Sequence, residues 1–142
     1  MPYLRIEPFD ACIDGHVAGV AAVCQGLGWP SYSEPAVVAR GCAAPGVTTM
    51  VALDDDDEAV VGFAQVLGDG MVQGYLAQVA VVPTRRRRGI ARALVEAAST
   101  LAGVQRLDLP TDDADQFYES VTHRTKRGHR LHPRVSATAG GD

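Results

Sequence analysis

The hydrophobic period of this chain changes at Pro83, and that switch constrains the fold more than any other feature. Upstream, three β-branched runs follow one another: Thr48 to Leu53, Ala59 to Leu67 and Met71 to Val82. An acidic turn, Asp54 to Asp57 with Glu58, separates the first two, and Gly68-Asp69-Gly70 separates the last two. Runs of this kind joined by short turns predict an antiparallel meander. Downstream the period is helical: Ile90, Leu94, Ala97, Ala98 and Leu101 share a face, Arg92, Glu96 and Ser99 lie opposite, and Gly103 ends the helix. The last strand therefore feeds a helix across a turn holding Arg85 to Arg88 and Gly89.

The remaining segments extend a mixed α/β pattern. Tyr3 to Glu7 reads as a short strand. A helix follows with Asp14 as its cap, and Val17, Val20, Ala21 and Cys24 form its apolar stripe before the stop signals Gly26 and Gly28. Trp29 to Ser33 make a loop, and Ser33-Glu34-Pro35 starts a second helix through Val37 and Val38 that closes between Gly41 and Gly46. After the long helix come a short strand, Arg106 to Leu109, a short helix, Ala114 to Ser120, and a final strand, Arg124 to Leu131. At 142 residues this is one domain, assigned to 1–135, with a frayed tail at 136–142.

Composition excludes several classes. The 46% hydrophobic and 21% charged fractions are those of a folded globular chain, and no apolar run is long enough to span a bilayer. The amino terminus carries neither a signal-peptide nor a transit-peptide pattern, so a cytoplasmic location is expected. Three cysteines, Cys12, Cys24 and Cys42, are widely spaced among small apolar residues and read as buried thiols. His16, His123, His129 and His132 make no metal-ligand spacing, so no metal is expected. The aspartate run 54–57 is a solvated hairpin loop or, less simply, a weak cation site.

A turn that opens a helix presents N–H groups lacking intrahelical acceptors and the positive end of the helix dipole, which favours an anion such as phosphate. Gly89 lets the backbone approach it. The alternatives are a solvated basic turn or a nucleic-acid patch, and a net charge of −4 argues against the latter.

Arg86-x-x-Gly89-x-Ala91, set between an apolar strand ending in Val-Val-Pro and an amphipathic helix, resembles the pyrophosphate-binding signature of the GCN5-related N-acetyltransferase (GNAT) family. The segment Ala114-Asp115-Gln116-Phe117-Tyr118-Glu119-Ser120 is similar to that family's A-x-x-F-Y-E-x segment, and the element order over residues 3 to 131 is the family's order. The resemblance implies a mixed, mostly antiparallel sheet flanked by helices, with acetyl-CoA bound in a cleft where two parallel strands splay apart, here Val72 to Val82 and Arg106 to Leu109. The pantetheine arm would pair with Val79, Ala80 and Val81. The pyrophosphate would lie on the turn and first helical residues, Arg86, Arg87, Arg88, Gly89, Ile90, Ala91 and Arg92.

Direct attack of a neutral amine on the thioester needs no enzyme nucleophile, only proton removal, oxyanion stabilisation and protonation of the leaving thiolate. The resemblance gives Tyr118 the last role, with packing against the cofactor as the alternative, and a backbone N–H near Val81 the oxyanion. Many family members carry a Glu where this chain has Gln78, which can orient a water but cannot take a proton. Thr122-His123 replaces a usual Gly-Phe, and Thr111 replaces an Asn. The base is thus unassigned, with His123 and Glu34 as candidates. The acceptor pocket maps onto Trp29, Tyr32, Ser33 and Tyr75, which would equally serve as packing anchors. The expected function is transfer of acetyl to a primary amine of a small molecule or peptide, with no nucleic-acid or membrane partner and a homodimer compatible with it; the alternatives are a CoA-binding module with little activity, or a basic-patch binder.

Overall fold

A computed structural model describes residues 4–111 and 114–133. The chain divides into two compact units, Met1–Leu109 and Pro110–Asp142. The first unit holds a five-stranded sheet in sequential order. Its strands are β1 (Leu4–Pro8), β2 (Val47–Asp54), β3 (Val60–Gly68), β4 (Gln73–Val81) and β5 (Arg106–Asp108). Strands β1 to β4 pair antiparallel, and β5 adds in parallel to β4. The meander lies where the β-branched runs predict it, with one further antiparallel partner in β1. The start expected at Tyr3 and the tail expected at 136–142 lie outside the described residues.

Helices cover both faces. On one, α1 (Asp14–Leu27) and α2 (Pro35–Gly41) bury Val20, Ala21, Val23, Cys24 and Val38 against Val51, Leu53, Phe63 and Ala80. On the other, α3 (Ile90–Ala102) packs across β2, β3 and β4. Leu94 is fully buried there, over Gly62, where an added Cβ would stand 3.2 Å from Leu94 Cδ1 and 2.7 Å from the Ala80 carbonyl oxygen. Burial of one such leucine contributes roughly 1.5–3 kcal/mol, which seats the first turns of α3 on β3. No helix among the described residues is long and apolar enough to cross a membrane.

Several expectations are corrected. Asp14 is the first helical residue and Ile13 the cap, which keeps the carboxylate at the positive helix end without a capping bond. Gly28, with φ of 71°, stops α1, whereas Gly26 is inside it. Glu34, not Ser33, caps α2. Leu101 is exposed, at an open groove it lines with Pro8 and Met50. Cys12 is exposed while Cys24 and Cys42 are buried. In the second unit, α4 (Asp115–Glu119) forms, but 124–131 is irregular and exposed rather than a strand. Its Arg, Lys and His residues offer no alternating apolar face, so there is nothing for a strand to bury.

The aspartate loop is explained by local bonds. Asp54 accepts from the Asp56 N–H at 2.8 Å, Asp57 from the Ala59 N–H at 3.0 Å, and Asp55 pairs with Arg5 at 3.2 Å. Among the described residues no group of His, Cys, Asp or Glu is arranged to hold a metal.

Candidate active site

Strand β4 has one open edge. Its parallel pairing with β5 covers Gln73, Gly74 and Tyr75, opposite Arg106, Leu107 and Asp108, and then stops while β4 runs on to Val81. Two features part the strands. Gln65 pairs with Gln78 but Val66 pairs with Leu76, so Ala77 is an extra residue, a bulge that bends and twists β4. Pro110, two residues past β5, has no N–H to extend the ladder.

The strand period decides which groups face the gap. The Val82 N–H donates to the Val61 carbonyl at 2.9 Å, on the β3 side. Alternation turns the backbone groups of Val81 and Val79 to the open edge, while those of Ala80 face β3. An extended ligand can add there as a strand does.

The turn after β4 is built for close approach. Pro83–Arg85 form a single 3-10 turn, Arg86 is extended, and Arg87 and Gly89 are left-handed, with φ of 63° and 80°. The Ala93 N–H donates to the Gly89 carbonyl at 3.1 Å, so the N–H groups of Ile90 and Ala91 precede the first intrahelical bond of α3. Such a backbone concavity at a helix start favours an anion. A Cβ at Gly89 would meet nothing within 4 Å, so the space before the helix is open to a ligand, and a pyrophosphate fits the groups that line it.

The arginines that look uniform in sequence divide by position. Arg85 pairs with the buried Asp54. Arg86 turns back to donate from Nε to the Val81 carbonyl at 3.0 Å, which closes one acceptor of the open edge. Arg87, Arg88 and Arg92 are exposed at the turn and the first turn of α3, Ile90 is buried beneath them, and Ala91 is half-buried. The guanidinium of Arg85 also holds the Asp54 carboxyl below its ordinary range, and so ties the turn to the β2–β3 hairpin.

On the opposite face, Trp29 and Tyr32 both pack against the α1–α2 core. Their loop is tied down by the Gln25 Nε2 bond to the Ser33 carbonyl at 2.7 Å and the Ser33 Oγ bond to the Pro30 carbonyl at 3.0 Å. Gln65, in the middle of β3 and only 1% exposed, donates from Nε2 to the Tyr32 hydroxyl at 3.2 Å. Its register partner Gln78 shares that face and is half-buried, and Tyr75 is exposed. Gln65 is the residue that sequence reasoning missed; its signal was an amide set among apolar residues in Val60–Gly68.

In the second unit, Phe117 and Tyr118 pack edge to face with ring centroids 4.9 Å apart. Burial pushes the Tyr118 phenol up, so it is protonated at neutral pH. Thr111 Oγ1 accepts from the Ala114 N–H at 3.0 Å and thereby opens α4. His123 is exposed with Nδ1 2.9 Å from the Val121 carbonyl, and in the first unit Glu34 is exposed at the start of α2.

The family model described as an acetyltransferase (GNAT) domain matches residues 45–121, which takes in the meander, the turn and the Phe-Tyr pair. The chain belongs to the GNAT acetyltransferase family. Solved GNAT-fold structures agree in architecture. An acetyltransferase from Trypanosoma brucei superposes with a TM-score of 0.70 at 22% identity, covering 92% of this chain and 100% of its own. An aminoglycoside acetyltransferase from an uncultured soil metagenomic sample gives 0.72 at 19% identity, covering 94% and 99%. AAC(6')-Iy, in complex with the bisubstrate analogue CoA-S-monomethyl-acetylneamine, gives 0.69 at 20%, covering 94% and 99%. No curated protein sequence matches the chain significantly.

Proposed function

We propose that this GNAT protein transfers an acetyl group from acetyl-CoA directly to a primary amine of a small molecule or peptide. The observation that carries the reading is the continuity of the β4 edge, open from Leu76 to Val81, with the left-handed turn and helix start at Gly89. Val79 would pair with the pantetheine arm, since the Val81 carbonyl is taken by Arg86, and the N–H groups from Arg87 to Ala91 would hold the pyrophosphate, with Arg87, Arg88 and Arg92 adding charge. AAC(6')-Iy, similar in fold, accommodates a CoA bisubstrate analogue, which supports the same cosubstrate here.

The amine lone pair attacks the thioester carbonyl, the C–N bond forms and the C–S bond breaks. The Val81 N–H is the oxyanion donor in this scheme. Tyr118 gives its proton to the departing thiolate, whose reference pKa is about 8.5, and the amine proton leaves through a water held by Gln78. Thiol release from acetyl-CoA over a panel of primary amines tests this, with amine-dependent release expected. CoA binding without release at any amine would favour the second reading, a CoA-binding module, which Gln78 in place of a carboxylate motivates.

A further inference from the structure

Gln65 ranks among the largest fully buried side chains, with Phe63 and Leu94. Burying an amide costs roughly 1–3 kcal/mol unless its hydrogens are used, so an apolar residue would serve the core better. Both hydrogens are used. One goes to the Tyr32 hydroxyl oxygen at 3.2 Å and the other to Cys42 Sγ at 3.8 Å.

The consequence falls on Tyr32. With its oxygen accepting from Gln65, the hydroxyl hydrogen must be given elsewhere, since a phenol has one donor. The ring cannot swing to hide it. It lies against α2 at Gly41, where an added Cβ would come within 2.8 Å of Tyr32 Cε1, and its loop is held by Gln25 and Ser33. Half-buried, on the sheet face it shares with Gln78, Tyr32 therefore offers a fixed hydrogen-bond donor. A donor of this kind rewards an oxygen on the ligand and gives nothing to a second ammonium, which has no lone pair.

We propose that Gln65 is a positioning residue that fixes the Tyr32 hydroxyl as a donor toward the acceptor, selecting primary amines that carry a carbonyl or carboxylate oxygen near the amine over amines whose other polar groups are donors only. The inference rests on the acetyl-transfer reading and adds the substrate class.

Amino-acid amides and amino acids, each matched with the alkylamine or diamine of equal length, would be compared as acceptors for the wild type, Tyr32→Phe, Gln65→Met and Gln65→Glu. Differences in intrinsic amine reactivity cancel when each variant's oxygen-bearing to oxygen-free kcat/KM ratio is set against that of the wild type. The ratio should fall about 3- to 10-fold in Tyr32→Phe and Gln65→Met, through KM of the oxygen-bearing acceptor. Gln65→Glu should show the same fall with the hydroxyl still present, because a carboxylate accepts the phenol hydrogen and turns the donor inward. Should a Gln65 variant fail to fold, Tyr32→Phe alone decides. A ratio within two-fold of the wild type in Tyr32→Phe overturns this inference alone; a wild type that acetylates no amine overturns the transfer reading and this with it.

Discussion

Gly89→Glu isolates the anion site from the rest of the fold. The position has φ of 80°, and a Cβ built there meets no atom within 4 Å, so a side chain costs backbone strain and no collision. That strain is roughly 1–2 kcal/mol, a fall in Tm of about 3–6 °C, and Gly89→Ala should show all of it. The glutamate adds a negative charge to the proposed pyrophosphate cradle. At about 5 Å and an effective dielectric near 20, two like unit charges repel by about 3 kcal/mol, or roughly 10²-fold in affinity. Calorimetry with CoA should therefore show a fall of less than about ten-fold in Gly89→Ala and of roughly 10² or more in Gly89→Glu, at similar Tm. Arg85→Ala is the comparison: Arg85 is committed to Asp54, so its affinity should stay within about three-fold of the wild type. A Gly89→Glu protein that binds CoA like the wild type would refute the placement of the pyrophosphate.

Further predictions follow from single groups. Tyr118→Phe keeps the ring and removes the proton, so turnover should fall by about 10² to 10⁴ with CoA affinity little changed, by steady-state kinetics and calorimetry. Gln78→Glu should maintain or raise activity and Gln78→Leu depress it, whereas coincident pH–rate profiles for both and the wild type would dismiss a water relay at this residue. Thermal melts against pH should show acid destabilisation. Glu7 is held below its ordinary range, first by its 2.9 Å bond to His16, Asp54 by Arg85, and Asp69 by backbone N–H groups led by that of Val72. These groups contribute stability in full above the ordinary carboxylate range and lose it as pH falls through their lowered folded values, so Tm should hold near neutrality and drop below about pH 4. A Tm that rises on acidification would contradict the assigned bonds.

What the sequence made legible was local. The period switch at Pro83 places a strand against a helix across one turn, because alternation and helical stripe are both written in consecutive residues, and Gly89 marks the left-handed position. The splay of β4 from β5 needed the bulge at Ala77, which arises from register against β3 and has no signal within β4 itself. Arg85 and Asp54 are 31 residues apart, so the division of the arginine run into structural and exposed members was hidden until the hairpin met the turn. Gln65 and Tyr32 meet across 33 residues for the same reason. The strand expected at 124–131 failed because Leu131 alone supplies bulk, and it is 79% exposed.

In the proposed function acetyl-CoA lies along the open edge of β4 and across the turn into α3. An amide-resolved NMR titration of the wild-type protein with acetyl-CoA tests it most directly. Saturable shifts are expected to concentrate at the N–H groups of Val79 and Val81 and of Arg87 to Ala91, with Ala80 less affected because its N–H faces β3. Shifts confined to the basic segment 123–133, or none at the Val81 and Gly89 amides, would contradict it.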